Sequence, residues 1–65
     1  MAKINWAFLP EKRQEEILKR IHSELVKWGF LDLTLTEVKN AVGKPNHGIV
    51  AEWVNDILDD AGIEV

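Results

Sequence analysis

The chain has 65 residues with no cysteine, 46% hydrophobic residues, three tryptophans and a net charge of −3. That length allows one domain, and one that buries only about 60% of its unfolded surface, so its stability margin is thin. The absence of cysteine removes disulfides and thiolate metal sites from consideration, and no apolar run reaches the ~18 to 20 residues of a membrane span. The expected setting is cytoplasmic, with no secretory signal in MAKINWAFLPEK. Charge is unevenly placed. Residues 1–28 carry six Lys/Arg against four Asp/Glu, whereas residues 29–65 carry two against seven.

Residues 1–9 form an N-terminal arm. Alternation of Ile4, Trp6 and Phe8 fits a short extended segment, and Asn5 fits the cap of a single helical turn; either way the arm is expected to lie across the bundle and close its core. Pro10 suits the first position of a helix, where no N–H is needed. The first helix is predicted over about 10–28, with Ile17, Leu18, Ile21, Leu25 and Trp28 forming a narrow apolar stripe. Glu15–Lys19 and Glu16–Arg20 are spaced as i,i+4 pairs with the acid first. Gly29 supplies the left-handed residue that ends the helix, and Phe30 is spaced to pack back on Leu25.

Thr34-Leu35-Thr36-Glu37 reads as a capping box, and Leu33 and Val38 have the spacing of a hydrophobic staple around it. A short second helix is predicted over about 35–42, buried through Val38, Ala41 and Val42 and stopped at Gly43. Lys44-Pro45-Asn46 is a turn, and Asn46 is the expected cap of the third helix. That helix is predicted over about 47–61. Its apolar residues Ile49, Val50, Trp53, Val54, Ile57, Leu58 and Ala61 cover roughly 180° at about 100° per residue. A helix on a small core needs only a little over about 100°. The surplus leaves two readings: the helix is the centre of the core, touched from two sides, or part of its face is kept for a protein contact. On the second reading Ile49 and Trp53 mark one edge of the arc and Leu58 the other as the contact, and Val50 and Ile57 between them still serve the core. Gly62 ends the helix, and Ile63 is spaced to pack on Leu58.

Catalytic chemistry finds little material. Ser23 is the sole serine, and its neighbour His22 faces another side of the same helix. His22 and His47 lack metal-ligand spacing, and Asp56, Asp59 and Asp60 lack the alternation of a calcium loop. GKPNHG has no preceding strand and no GK[ST] ending, so it is a turn rather than a phosphate loop. The expectation is a protein that is not an enzyme and has no cofactor.

Residues 33–65 resemble the helix-turn-helix core of winged-helix regulators. The matching positions are Leu35, Thr36, Glu37, Val38, Ala41, Val42 and Gly43 in the second helix, then Leu58, Ala61, Gly62 and Ile63. The wing strands are absent, and the interval from Gly43 to Gly62 is about two residues longer than is usual in that family. The resemblance implies an all-α, three-helix domain with a helix-turn-helix-like second half. It also implies a third helix read against duplex DNA, with Lys44, Asn46 and His47 as contacts. The outward residues of that helix, however, include Glu52, Asn55, Asp56, Asp59 and Asp60 and no Lys or Arg, whereas DNA affinity rests largely on neutralised phosphates. The function expected first is therefore a small regulatory or adaptor domain that binds a protein partner, or a second copy of itself, through the apolar face of the third helix. A dimeric DNA-binding regulator is the alternative. No membrane or small-molecule partner is expected.

Overall fold

The computed structural model describes residues 3–65, so the first two residues of the arm lie outside it. It is a three-helix domain whose two ends are joined by a very short parallel sheet. In chain order these are β1 (Ile4–Asn5), a 3₁₀ turn (Trp6–Phe8), α1 (Glu11–Lys27), α2 (Leu35–Ala41), α3 (Ile49–Asp60) and β2 (Ile63–Glu64). The all-α expectation holds, with the terminal strand pair as an addition. Ile4 lies opposite Ile63 and Asn5 opposite Glu64. The Ile4 N–H donates to the Gly62 carbonyl at 2.9 Å.

Both readings of the arm are present in succession. Ile4 and Asn5 are extended, and the Asn5 side chain then caps the 3₁₀ turn by accepting from the Ala7 N–H at 2.9 Å. The turn is fastened to α1 because Gln14 Nε2 donates to the Trp6 carbonyl at 2.8 Å. Trp6 and Leu9 pack against the core from this side, whereas Phe8 stays exposed.

Helix α1 starts one residue later than its proline. Pro10 is extended and serves as the N-cap, its carbonyl accepting from the Gln14 N–H at 3.0 Å. The far end has the expected Schellman closure. The Phe30 N–H reaches the Leu25 carbonyl and the Gly29 N–H the Val26 carbonyl, both at 3.1 Å, with Gly29 at φ +116°. Positive φ is accessible to glycine because it has no Cβ. The predicted Glu15–Lys19 and Glu16–Arg20 pairs are not the ones formed; the pair on this helix is Arg13–Glu16 at 3.2 Å, with both side chains largely exposed. Such a pair contributes about 0–1 kcal/mol, so nothing in the fold turns on the difference.

Helix α2 is capped by Thr34, whose hydroxyl accepts from the Glu37 N–H at 3.2 Å. Glu37 reaches back to that hydroxyl at 3.1 Å, which makes half of the box foreseen. The core comprises Leu18, Ile21 and Leu25 of α1, Leu33, Val38 and Ala41 around α2, Ala51, Val54 and Leu58 of α3, and Ile63 of β2. It has no buried polar side chain.

The α2–α3 connection differs from expectation. Helix α3 begins at Ile49 rather than 47, and its N-cap is Gly48, at φ +127° and ψ 179°, with no side-chain cap bond. That backbone region is essentially restricted to glycine, so Gly48, not Asn46, sets where the helix starts. Residues 42–48 therefore separate the two helices. Asn55 then ties the junction together. Its Oδ1 accepts from the Gly43 N–H at 2.8 Å, and its Nδ2 donates to the carbonyls of Ala41 at 2.9 Å and Ala51 at 2.6 Å. Asn55 was expected to face outward; its amide is instead used to hold the end of α2 against α3.

Candidate interaction surface

Helix α3 has more apolar surface than the core takes up, and the structure decides which edge is surplus. The residues of α3 that are buried are Ala51, Val54 and Leu58. Ala51 extends the apolar arc past Leu58. Its short side chain, with the buried Ala41 of α2, lets the two helices approach closely there. The core is consequently centred under the Leu58 edge, and Leu58 is 1% exposed. Its assignment to a protein contact is thereby corrected: a side chain already enclosed has no surface for a partner. Val50 and Ile57, expected at the centre of the core, are half-buried against its flank.

The opposite edge carries the surplus. Ile49 is 57% exposed, and Trp53 lies one turn further on, partly buried. Trp53 is held between two aromatic neighbours. Its ring is 5.1 Å from that of Trp28 at an interplanar angle of 77°, and 5.3 Å from that of Phe30 at 88°. Edge-to-face pairs of this kind contribute about 0.5–1.5 kcal/mol beyond area burial. The Schellman turn of α1 explains the arrangement, because it brings Phe30 back to the bundle while leaving Trp28 at the C-cap of the helix. Trp28 was expected in the buried stripe of α1; it is 66% exposed. The sequence spacing linked it to Leu25 correctly, but at the helix end it overhangs the core and covers Trp53. Leu31, 77% exposed in the following turn, adds to the apolar surface near Phe30.

Between the end of α1 and α3 lies an open groove of about 400 Å³. It is lined by Leu25, Trp28, Trp53 and Ile57 together with the carboxylates Glu24, Asp56 and Asp60. Among the described residues the ion pairs are Lys3–Asp59 and Arg13–Glu16, so none of these three carboxylates has a cation partner. Nor do any three acidic or histidine side chains among the described residues converge as a metal site would require.

Lys44, Asn46 and His47 are all exposed, and all lie in the α2–α3 connection rather than on α3. The His47 N–H donates to the Lys44 carbonyl at 3.2 Å, which closes the foreseen turn. They form a polar tip at the N-terminal end of α3, whereas the aromatic groove lies toward its C-terminal end. His22 takes a structural role: a carbonyl only accepts, so its Nε2 carries the proton it donates to Leu33 O at 2.6 Å. That bond joins α1 to the connection before α2. Ser23 is exposed beside it.

Among the described residues, no helix is long and apolar enough to cross a membrane. No family model, no curated protein and no solved structure matches this chain.

Proposed function

We propose that this chain is a small non-enzymatic regulatory or adaptor domain, acting in the cytoplasm, that binds another protein through Ile49, Trp53 and the adjoining Trp28. The observation that carries the reading is the exposure of Trp28, at 66%, on an edge-packed aromatic cluster, with the exposed Ile49 one helical turn before Trp53. Exposed apolar patches rimmed by polar residues mark interaction sites. Tryptophan in particular is enriched among residues that dominate binding energy, because a large rigid ring leaves water at small entropic cost. Trp53, itself packed against Phe30, holds Trp28 in place before any partner arrives, which lowers the ordering cost of association.

The DNA-binding alternative rests on the helix-turn-helix resemblance. Two observations weigh against it. The helices of such motifs are joined by a turn of about 3–4 residues, whereas residues 42–48 lie between α2 and α3. Of the outward residues of α3, Asn55 is occupied within the fold and the rest are acidic or neutral.

The test is a selection of binding peptides from a random library against the folded protein, followed by amide and indole chemical-shift mapping. Selected peptides are expected to shift Trp28, Trp53 and Ile49. Trp28→Ala or Ile49→Asp should weaken them by about 2 kcal/mol, the hot-spot threshold, with the helical spectrum retained. Peptides that map elsewhere, or tight and salt-sensitive duplex binding that Trp28→Ala leaves unchanged, would overturn the reading.

A further inference from the structure

We propose that the groove between the end of α1 and α3 receives an arginine side chain from a basic segment of the partner protein. This rests on the reading of the aromatic face as a docking surface and goes further by naming what docks there.

Three features of the groove favour a cation. Two indoles line it: Trp28 and Trp53 pack edge to face at 77°, so they do not stack face to face on one another, and Trp28 is mostly exposed. The face of tryptophan is the best aromatic partner for a cation, and arginine is the cation most often found on it. Three carboxylates line it as well: Glu24, Asp56 and Asp60 have no cation partner among the described residues. Carboxylates beside an aromatic face suit a guanidinium, which presents a flat surface to the ring and a fork of N–H donors to oxygen. Its location is also electrically negative. Glu24 lies in the last turn of α1 with the exposed Lys27, Trp28 is the C-cap of that helix, and Asp56 and Asp60 lie in the second half of α3. Helix C-termini carry partial negative charge, so the backbone of both helices adds to the field of the acids.

The same features select against other occupants. An acidic partner, or the phosphates of a nucleic acid, would meet three unneutralised carboxylates. A bare metal ion would need the acids to converge, and among the described residues no such cluster exists. A purely apolar side chain would cover the indoles but leave the carboxylates facing it without compensation. An arginine answers both parts, because its methylene stem lies on the apolar lining while its head reaches the carboxylates.

Blocked hexa-arginine and blocked hexa-citrulline peptides test this, since citrulline keeps the shape and loses the charge. Titration of the full chain should give saturable shifts of the Trp28 and Trp53 indole N–H resonances with hexa-arginine, and binding at least tenfold weaker with hexa-citrulline. Asp56→Asn combined with Asp60→Asn should weaken hexa-arginine tenfold or more, and Trp28→Ala fivefold or more. All three substitutions are at exposed positions, and circular dichroism checks that the fold is kept. Equal binding of the two peptides, binding that leaves the indoles unshifted, or binding indifferent to Trp28→Ala would overturn the proposal. Library-selected peptides that dock on Trp28 and Ile49 without a cation would also overturn it while leaving the docking reading intact. An absence of any peptide on this face would remove both.

Discussion

Asn55→Ala probes the junction on which the position of α2 depends. In the folded chain this amide makes two bonds to the end of α2, from Gly43 N–H at 2.8 Å and to Ala41 O at 2.9 Å, besides one to Ala51 O in its own helix. At about 1 kcal/mol for each cross-element bond, their loss removes about 2 kcal/mol. The Gly43 N–H is exposed and can turn to water. The part-buried Ala41 carbonyl is less free to do so, adding about 1 kcal/mol. Alanine returns roughly 0.6 kcal/mol through its better helix propensity. The net expectation is a destabilisation of about 2–2.5 kcal/mol, which in a domain of this size lowers Tm by roughly 8–20 °C. Urea and thermal unfolding followed by circular dichroism measure it, and amide exchange at Gly43 should speed up in parallel. Asn55→Asp separates hydrogen bonding from packing. It fills the same space and keeps the acceptor for Gly43, but places a carboxylate against the Ala41 and Ala51 carbonyls, so it should be no more stable than Asn55→Ala. A loss under about 0.5 kcal/mol, the size of an ordinary surface substitution, would refute the bracing role.

Leu25→Ala should cost about 2–5 kcal/mol, because Leu25 is 1% exposed within the core; a urea midpoint equal to the parent's would contradict the core described. Gly48→Ala should cost about 1–3 kcal/mol from backbone strain alone, since no atom lies within 4 Å of the added methyl; unchanged stability in urea would show that another residue sets the start of α3. Lys3 is held above its ordinary pKa of 10.5, first by its hydrogen bond to Asp59 and then by the charge of that carboxylate. A raised lysine stabilises the fold below its unfolded pKa and loses that contribution as pH climbs through the folded value. Lys3→Met should therefore be slightly less stable than the parent near neutral pH and converge with it well above 10.5, as paired urea titrations would record; a difference that persists there would assign the effect to the lysine stem rather than its charge.

Local signals were legible in the sequence wherever the chemistry was local. Thr34 caps α2 and Gly29 closes α1 as their spacing requires, because both depend on atoms within five residues of one another. The direction of α3 was harder to read. Ala51 has so little apolar surface that it barely registers in a hydrophobic arc, yet its small size is what admits α2, and it moves the core toward Leu58. Asn55 is polar and so was assigned to solvent, although its amide matches the donor and acceptors left free at the end of α2. The arc did contain the correct surplus at Ile49 and Trp53. Glu24 and Trp28 could not be joined to it from spacing, since they reach the groove only through the packing of α1 on α3. The pairing of Ile4 with Ile63 was likewise out of reach; the alternation in the arm and the β-branched Ile63 and Val65 near the other end were its only traces.

The parallel sense of β1 and β2 determines how the domain bears mechanical load. Tension applied through the first and last described residues draws β1 backward along its axis and β2 forward along the same axis. The contacts at Ile4–Ile63 and Asn5–Glu64 are then loaded together, in shear, rather than peeled apart in sequence as they would be in an antiparallel pair. The Lys3–Asp59 link also joins the arm to α3. Under a slow pull the helices are thus shielded until this clamp fails, and because Ile63 belongs to the core, its release opens the hydrophobic interior at the same moment.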